Sequence, residues 1–101
     1  MRRSKYNNVK TVVDGITFHS KKEAKHYADL KYAKIAGELE EFYMQVPFLL
    51  PGTVKYLLDF KEYWKGEKEP RYVEVKGFFT RESKIKIKIV EALYNIKIKI
   101  I

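Results

Sequence analysis

Apolar residues are concentrated in three segments of the chain, which short turns separate. Residues 39–50, 53–64 and 71–77 are rich in valine, leucine, tyrosine and phenylalanine, and each segment predicts a strand. Consecutive strands with short turns between them favour an antiparallel meander. In the second strand, alternate residues from Val54 to Phe60 are expected to share one face, and those from Lys55 to Lys61 the other.

A helix is predicted ahead of these strands, from Ser20 to about Ala36. Ser20-Lys21-Lys22-Glu23 is a capping box, in which the serine oxygen accepts from a free backbone N–H and Glu23 reaches back. Gly37 is a residue at which such a helix ends. Its apolar side is expected to carry Ala24, Tyr27, Ala28, Leu30 and Ile35.

The residues before this helix predict a hairpin over 11–19. Asp14-Gly15 lies between β-branched residues, and both residues of such a pair tolerate the positive φ of a type I′ turn. Residues 1–10 carry four positive charges and no negative charge, so they are expected to form a basic arm.

The last quarter of the chain fits two structures. Residues 84–89 alternate strictly between lysine and isoleucine, which is a strand pattern, and residues 96–101 predict a further strand. Thr80-Arg81-Glu82 is nevertheless a helix start, and Ile85, Ile89, Ala92 and Leu93 form a helical stripe. The local pattern slightly favours a hairpin that turns at Tyr94-Asn95.

Composition narrows the class of protein. The chain has 101 residues, 46% of them apolar, which predicts a single domain over 1–101 with its core in residues 20–101. It has no cysteine and only two histidines, so disulfides, thiolate zinc sites and cysteine nucleophiles are excluded. No apolar run is long enough to span a membrane, and the N-terminus does not resemble a secretory signal, so a cytoplasmic location is expected.

The net charge is +8, which indicates a polyanionic partner such as nucleic acid. A basic but merely solvated surface is the alternative. In either case the charge says nothing about chemistry, for which particular side chains are needed.

Asp59, Glu74 and Lys76 are the residues that carry candidate chemistry. In an antiparallel pair joined by a loop near residues 66–68, Asp59 falls opposite residues 74–76, so its carboxylate is expected beside that of Glu74. Two adjacent carboxylates repel unless a cation lies between them, and Mg²⁺ prefers such oxygen ligands. The Lys76 ammonium projects from the same face, and Glu23 of the helix can approach. Taken singly, each residue also fits a solvated ion pair, and Glu23 a helix cap.

Asp59 together with Glu74-Val75-Lys76 resembles the signature of the PD-(D/E)XK nucleases, although Leu58 stands where proline is often found. Ser20-Lys21-Lys22-Glu23-Ala24, the strand pair and Lys76-Gly77-Phe78-Phe79-Thr80 are similar to small phage-encoded endonucleases related to Holliday-junction resolvases. The resemblance implies an αβββαβ core with a mixed sheet between helices, and therefore a second helix from about Thr80 to Tyr94.

The same resemblance implies a Mg²⁺- or Mn²⁺-dependent DNA endonuclease, in the host cytoplasm if phage-encoded. Asp59 and Glu74 would bind the metal with the Val75 carbonyl, Glu23 would bind through water, and Lys76 would be the catalytic lysine. Gln45 is a further residue that can face the site. A homodimer would present two sites to two strands. The expected contacts to the DNA backbone are Lys5, Lys10, Arg71, Arg81, Lys84, Lys86 and Lys88.

Two other functions are compatible with the residues. A basic module without catalysis could stack bases on Tyr43, Tyr56, Trp64 and Tyr72, although core packing is the favoured interpretation of these aromatics. A structural protein could bind a protein partner through its isoleucine-rich C-terminal strand.

Overall fold

The computed structural model describes residues 10–76 and 80–101, so Lys5 and most of the predicted basic arm lie outside the described residues. The elements follow in the order β1 (Thr11–Val13), β2 (Ile16–Phe18), α1 (Lys21–Ile35), β3 (Leu39–Leu50), β4 (Val54–Trp64), β5 (Arg71–Glu74), α2 (Arg81–Tyr94) and β6 (Ile98–Ile100). Strands β1 and β2 form a separate hairpin, and the main sheet has the order β3-β4-β5-β6. Its first three strands are antiparallel, and β6 runs parallel to β5. The chain is therefore an α+β domain with a mixed sheet and two helices.

The local signals of the N-terminal third are confirmed. Asp14 and Gly15 have φ angles of 53° and 76°, as a type I′ turn requires. The Ser20 hydroxyl accepts from the backbone N–H of Glu23 at 3.1 Å. The Glu23 carboxylate reaches one residue further back than expected, and it accepts from the N–H of His19 at 3.3 Å.

The helix over the last quarter is confirmed, and the hairpin that the local pattern favoured is wrong. Thr80 caps α2 by accepting from the backbone N–H of Ser83 at 3.0 Å, and Asn95 ends the helix in the left-handed conformation. Helix α2 then leads into β6, which pairs beside β5. The alternation of lysine and isoleucine is overridden because strong caps and an apolar helix face agree with the crossover.

The buried face of α1 is narrower than predicted, and the buried face of α2 differs from the predicted stripe. The buried residues of α2 are Ile87 and Val90, and neither belongs to that stripe. Ile85 and Leu93, which do belong to it, are about half exposed. In α1, Ala24, Tyr27 and Leu30 are buried as expected, but Ile35 is 81% exposed. Ile35 belongs to the last turn of its helix, beyond the residues that pack on the sheet.

The two helices cover opposite faces of the sheet. Along β5, Val73 packs in the cluster that contains Leu30 of α1, and its neighbour Tyr72 packs against the cluster that contains Val90 of α2. Because successive strand residues point to opposite faces, α1 and α2 lie on different sides.

The prediction that alternate residues of β4 from Val54 to Phe60 share one face is wrong. Leu58 belongs to the α2 cluster, but Phe60, two residues later, belongs to the α1 cluster. Met44 and Val46 of β3 are divided between the clusters in the same way. This change of face occurs beside Gln45, whose φ of 53° lies far outside the negative range of a β-strand. Consequently α2 covers the half of the sheet nearest the β3–β4 turn, and α1 covers the other half.

Within residues 10–76 and 80–101, neither helix combines the length and the apolar character needed to cross a membrane.

Candidate active site

The sequence-predicted carboxylates meet where β4 and β5 separate. Regular pairing between these strands ends at Phe60 and Val73. One step further, the backbone N–H of Asp59 donates to Glu74 Oε1 at 3.4 Å, and the N–H of Val75 donates to Asp59 Oδ2 at 2.9 Å. The carboxylates thus accept the backbone N–H bonds that carbonyl oxygens would accept if the strands stayed paired. These bonds fix both side chains at the point where β4 and β5 separate, which we call the fork.

Glu74 is held from two further directions. Its Oε1 accepts from the hydroxyl of Tyr56 at 2.5 Å, and its Oε2 lies 3.1 Å from the ammonium of Lys76. Only 3% of Glu74 is exposed to solvent. The structure therefore brings Asp59, Glu74 and Lys76 into one cluster, with Val75 between the last two in the chain.

Asp59 and Glu74 are two buried carboxyls whose negative charge is not balanced by the neighbouring Lys76, so the pKa values of both are raised. Burial raises the pKa of Asp59, and the charge of Glu23 adds to this, although the N–H of Val75 opposes it. Burial likewise raises the pKa of Glu74, and the charge of Asp59 adds to this against the opposing effects of Tyr56 and Lys76. Burial and the bond to Glu74 raise the pKa of the Tyr56 hydroxyl. A further cation would relieve this strain.

A cavity of about 230 Å³ opens on the other side of Asp59. Glu23 and Asp59 both border it, which places the helix carboxylate next to the strand carboxylate. Glu74 and Lys76 do not border it, so Asp59 stands between the cavity and the fork. The lining residues are Ile16, Thr17, Phe18, His19, Glu23, Met44, Gln45, Asp59 and Phe60.

Gln45 faces this cavity and touches the cluster. Its amide Nε2 donates to Asp59 Oδ1 at a long 3.4 Å. The other described residues with positive φ, apart from glycines, are Asp14, Thr53 and Asn95, and all of these lie in turns or at a helix end. Gln45 is thus a strained residue in the interior of β3, beside a candidate ligand.

Substitution of Gln45 is expected to reveal that strain. Gln45→Val should lower the free energy of unfolding by about 1–2 kcal/mol, because a β-branched residue resists the left-handed conformation. Gln45→Asn should cost clearly less, since asparagine tolerates that conformation. Urea unfolding measures both, with Lys55→Val at an exposed position of β4 as the control. Equal losses for the valine and asparagine variants would contradict the prediction.

The oxygen ligands of the cluster are of the kind that a hard divalent cation prefers, but they do not complete its coordination sphere. Asp59 and Glu74 offer buried carboxylate oxygens, which are the ligands of Mg²⁺ and Mn²⁺. Among the described residues, no group of three or more histidine, cysteine, aspartate or glutamate side chains is arranged to hold an ion. A cation here would therefore need other oxygens, from the Val75 carbonyl, from water or from a phosphate. The roles of Val75 and Glu23 as ligands stay predictions.

Two of the predicted DNA-contacting residues are held in ion pairs. Arg71 is paired with Glu67, and its guanidinium lies 4.5 Å from the centre of the Trp64 ring. Lys86 is paired with Glu82 at 3.1 Å on the flank of α2. Exposed positions are occupied by Lys10, Arg81, Lys84 and Lys88.

Two of the four aromatic residues considered for base stacking have partners within the fold. Tyr56 is buried, as the favoured interpretation of core packing expects, and it donates to Glu74. Trp64 donates from Nε1 to Glu62 at 2.8 Å and is covered by Arg71. A signal for Tyr56 existed, because it lies on the same strand as Asp59 and near the predicted position of Glu74. The partner of Trp64 depends on tertiary packing and carries no such signal.

Fold and site together define a small basic α+β domain with two buried carboxylates and a lysine in a strand fork. The chain belongs to the family described as "Protein of unknown function (DUF1064)", which matches residues 3–101. No curated protein matches the chain. The family description assigns no chemistry to the cluster, so the side-chain geometry carries the functional proposal.

Proposed function

We propose that this protein is a metal-dependent DNA endonuclease with a restriction-endonuclease-like core. The observation that carries the proposal is the cluster of Asp59, Glu74 and Lys76 at the β4–β5 fork. The order of elements after the hairpin, α-β-β-β-α-β, is the one that the PD-(D/E)XK resemblance implies. A structural ion pair would not require two buried carboxylates with a single neighbouring lysine, because removal of one acid would relieve the repulsion.

Asp59 and Glu74 would hold Mg²⁺ or Mn²⁺ in this proposal. Such an ion, when bound, supplies Lewis-acid stabilisation of the negative charge that develops on a phosphodiester. The chain's own residues fix the ligands: the Val75 N–H orients Asp59 Oδ2, and the Tyr56 hydroxyl orients Glu74 Oε1. Both carboxylates are thereby oriented before substrate arrives, which removes a cost of binding.

Lys76 is the residue that we assign to the reacting phosphate. Its ammonium lies beside Glu74 Oε2 and is about a quarter exposed, so it can also reach a group in the fork. A fixed ammonium there donates hydrogen bonds to phosphate oxygens and stabilises their charge in the transition state. A neutral side chain of similar size would leave the carboxylates in place and lose this contribution.

DNA is the proposed substrate because the net charge of +8 favours a polyanion. Contacts to phosphates carry no sequence information, so we infer structure-selective or non-specific cutting. A homodimer that presents two such sites to two strands is part of the proposal. Gel filtration with and without branched DNA tests that arrangement.

The test is cleavage of plasmid, single-stranded DNA and a four-way junction, each with Mg²⁺, Mn²⁺ or EDTA. We expect cutting that requires metal and that falls by about 10²- to 10³-fold in Lys76→Ala. Lys65→Ala, which changes an exposed loop lysine, should cut like the unmodified chain. Activity that is equal in both variants would come from a contaminant or another site. Salt-sensitive binding by folded protein without cutting of any substrate would replace the nuclease by a non-catalytic binding module.

A further inference from the structure

Three tyrosines surround one lysine on a part of the sheet that α2 leaves open. Tyr43, Lys61 and Tyr72 lie directly opposite one another in β3, β4 and β5. Their neighbours Phe42, Phe60 and Val73 pack on the α1 side, so this row faces the other side. Tyr63 adjoins the row, with its ring centre 6.1 Å from that of Tyr43. We name these four residues the tyrosine–lysine patch.

Lys61 is held among aromatic rings. Its ammonium lies 5.5 Å from the ring centre of Tyr63 and 5.6 Å from that of Tyr72. The ion pairs among the described residues do not include Lys61. Its charge is therefore not neutralised by a carboxylate and is available to a phosphate.

The tyrosines offer ring surface to solvent. Tyr43 is 54% exposed, and Tyr63 and Tyr72 are half-buried. Tyr72 also packs against the α2 cluster, so Tyr43 is the tyrosine of the patch with the most exposed surface. Flat aromatic faces beside an unneutralised cation are what proteins use to bind single-stranded nucleic acid, because every base has a stacking face.

The patch adjoins the candidate active site. Tyr72 is two residues from Glu74 on β5, and Lys61 is two residues from Asp59 on β4. Alternate residues of a strand are about 7 Å apart, so the backbones of Asp59 and Glu74 lie about that far from the patch along β4 and β5. DNA bound on the patch would therefore lie beside the β4–β5 fork, whereas the cavity next to Asp59 is lined in part by Glu23 of α1.

We propose that the tyrosine–lysine patch binds an unpaired stretch of the DNA strand beside the phosphate to be cut. The bases stack on the tyrosines, and Lys61 contacts a phosphate of the same stretch. This inference rests on the proposed function and assigns its substrate class: DNA with a single-stranded segment, either free or at a branch. In an intact duplex the base faces are stacked on one another and cannot reach the patch.

The test is binding in EDTA, so that it does not depend on cleavage. Fluorescence anisotropy with a labelled oligothymidylate and with a duplex of equal length gives the two dissociation constants. Tyr43→Leu should weaken binding of the single strand roughly 5- to 100-fold and that of the duplex less than about twofold. Tyr43→Phe should retain binding, because the ring remains. Tyr32→Leu is the matched control, since Tyr32 is 71% exposed on α1 and distant in sequence from the patch.

Lys61→Gln supplies an independent second measurement. It should reduce the slope of log affinity against log salt concentration by about 0.7 for the single strand. Lys25→Gln, an exposed change on α1, should alter the slope less. Thermal unfolding of each variant establishes that it is folded.

Equal effects of Tyr43→Leu and Tyr32→Leu, or equal losses on single strand and duplex, would overturn the inference. Metal-dependent cleavage would then still stand on its own test. Conversely, selective loss of single-strand binding in a chain that cuts nothing would support the patch and remove the proposed function.

Discussion

Asp59→Asn is expected to abolish cleavage and, in the absence of metal, to make the protein more stable. Asparagine keeps a carbonyl oxygen for the N–H of Val75 and removes the charge that repels Glu23 and Glu74. Loss of a buried, poorly compensated charge should raise the free energy of unfolding by about 1–2 kcal/mol at mildly alkaline pH. In the proposed nuclease, loss of this carboxylate as a metal ligand should reduce cleavage by about 10³-fold or more. Stability and activity are expected to change in opposite directions, because the repulsion between the carboxylates destabilises the fold while the carboxylates themselves serve the proposed function.

The pH dependence of stability follows from the same carboxyls. Their pKa values are raised in the folded chain, so the folded state binds protons more tightly than the unfolded state does. The stabilisation is therefore complete below the ordinary carboxyl pKa, near 4, and is lost as the pH rises through the raised values. Urea unfolding in EDTA across this range should show a smaller decline for Asp59→Asn than for the unmodified chain. Asp29→Asn, at an exposed aspartate on α1, is the control. The prediction would be contradicted if Asp59→Asn were less stable than the unmodified chain at alkaline pH.

The sequence predicted the pairing of Asp59 with Glu74 because antiparallel register depends mainly on the loop between two strands. Lys76 followed from the alternation of strand faces. The strain at Gln45 was not predictable in this way, since a glutamine within an apolar strand segment does not by itself indicate a left-handed backbone. Its left-handed backbone lies where β3 and β4 change the faces that they present to α1 and α2, and that change is a property of the whole domain.

The last quarter of the chain shows the same division between local and global information. Lysine and isoleucine alternate over residues 84–89, and on local grounds a strand fits at least as well as a helix. The helix forms because Thr80 and Asn95 provide its ends, and because Ile87 and Val90 complete the cluster on the sheet. A family resemblance could supply that context, whereas composition and periodicity could not.

Glu62→Ala is expected to be the most destabilising substitution considered for this chain, at about 3–4 kcal/mol. Glu62 is 1% exposed, and it accepts from His26 Nε2 at 2.7 Å and from Trp64 Nε1 at 2.8 Å. Alanine would leave both of these donors without their acceptor and would open a cavity beside Phe60, on which the His26 ring packs at 4.8 Å.

Glu62→Gln separates the hydrogen bonds from the cavity. Glutamine keeps an oxygen for one donor and most of the volume, so it should cost clearly less than alanine. Glu40→Ala, at an exposed position of β3, should change the free energy of unfolding by less than about 0.5 kcal/mol. Urea unfolding measures all three, and a loss for Glu62→Ala no larger than that for Glu40→Ala would show that the pair with His26 contributes nothing. Because Glu62 lies on the α1 side of β4, away from the open patch, any activity lost in Glu62→Ala should return when the temperature is lowered enough to restore folding, whereas activity lost in Asp59→Asn should not.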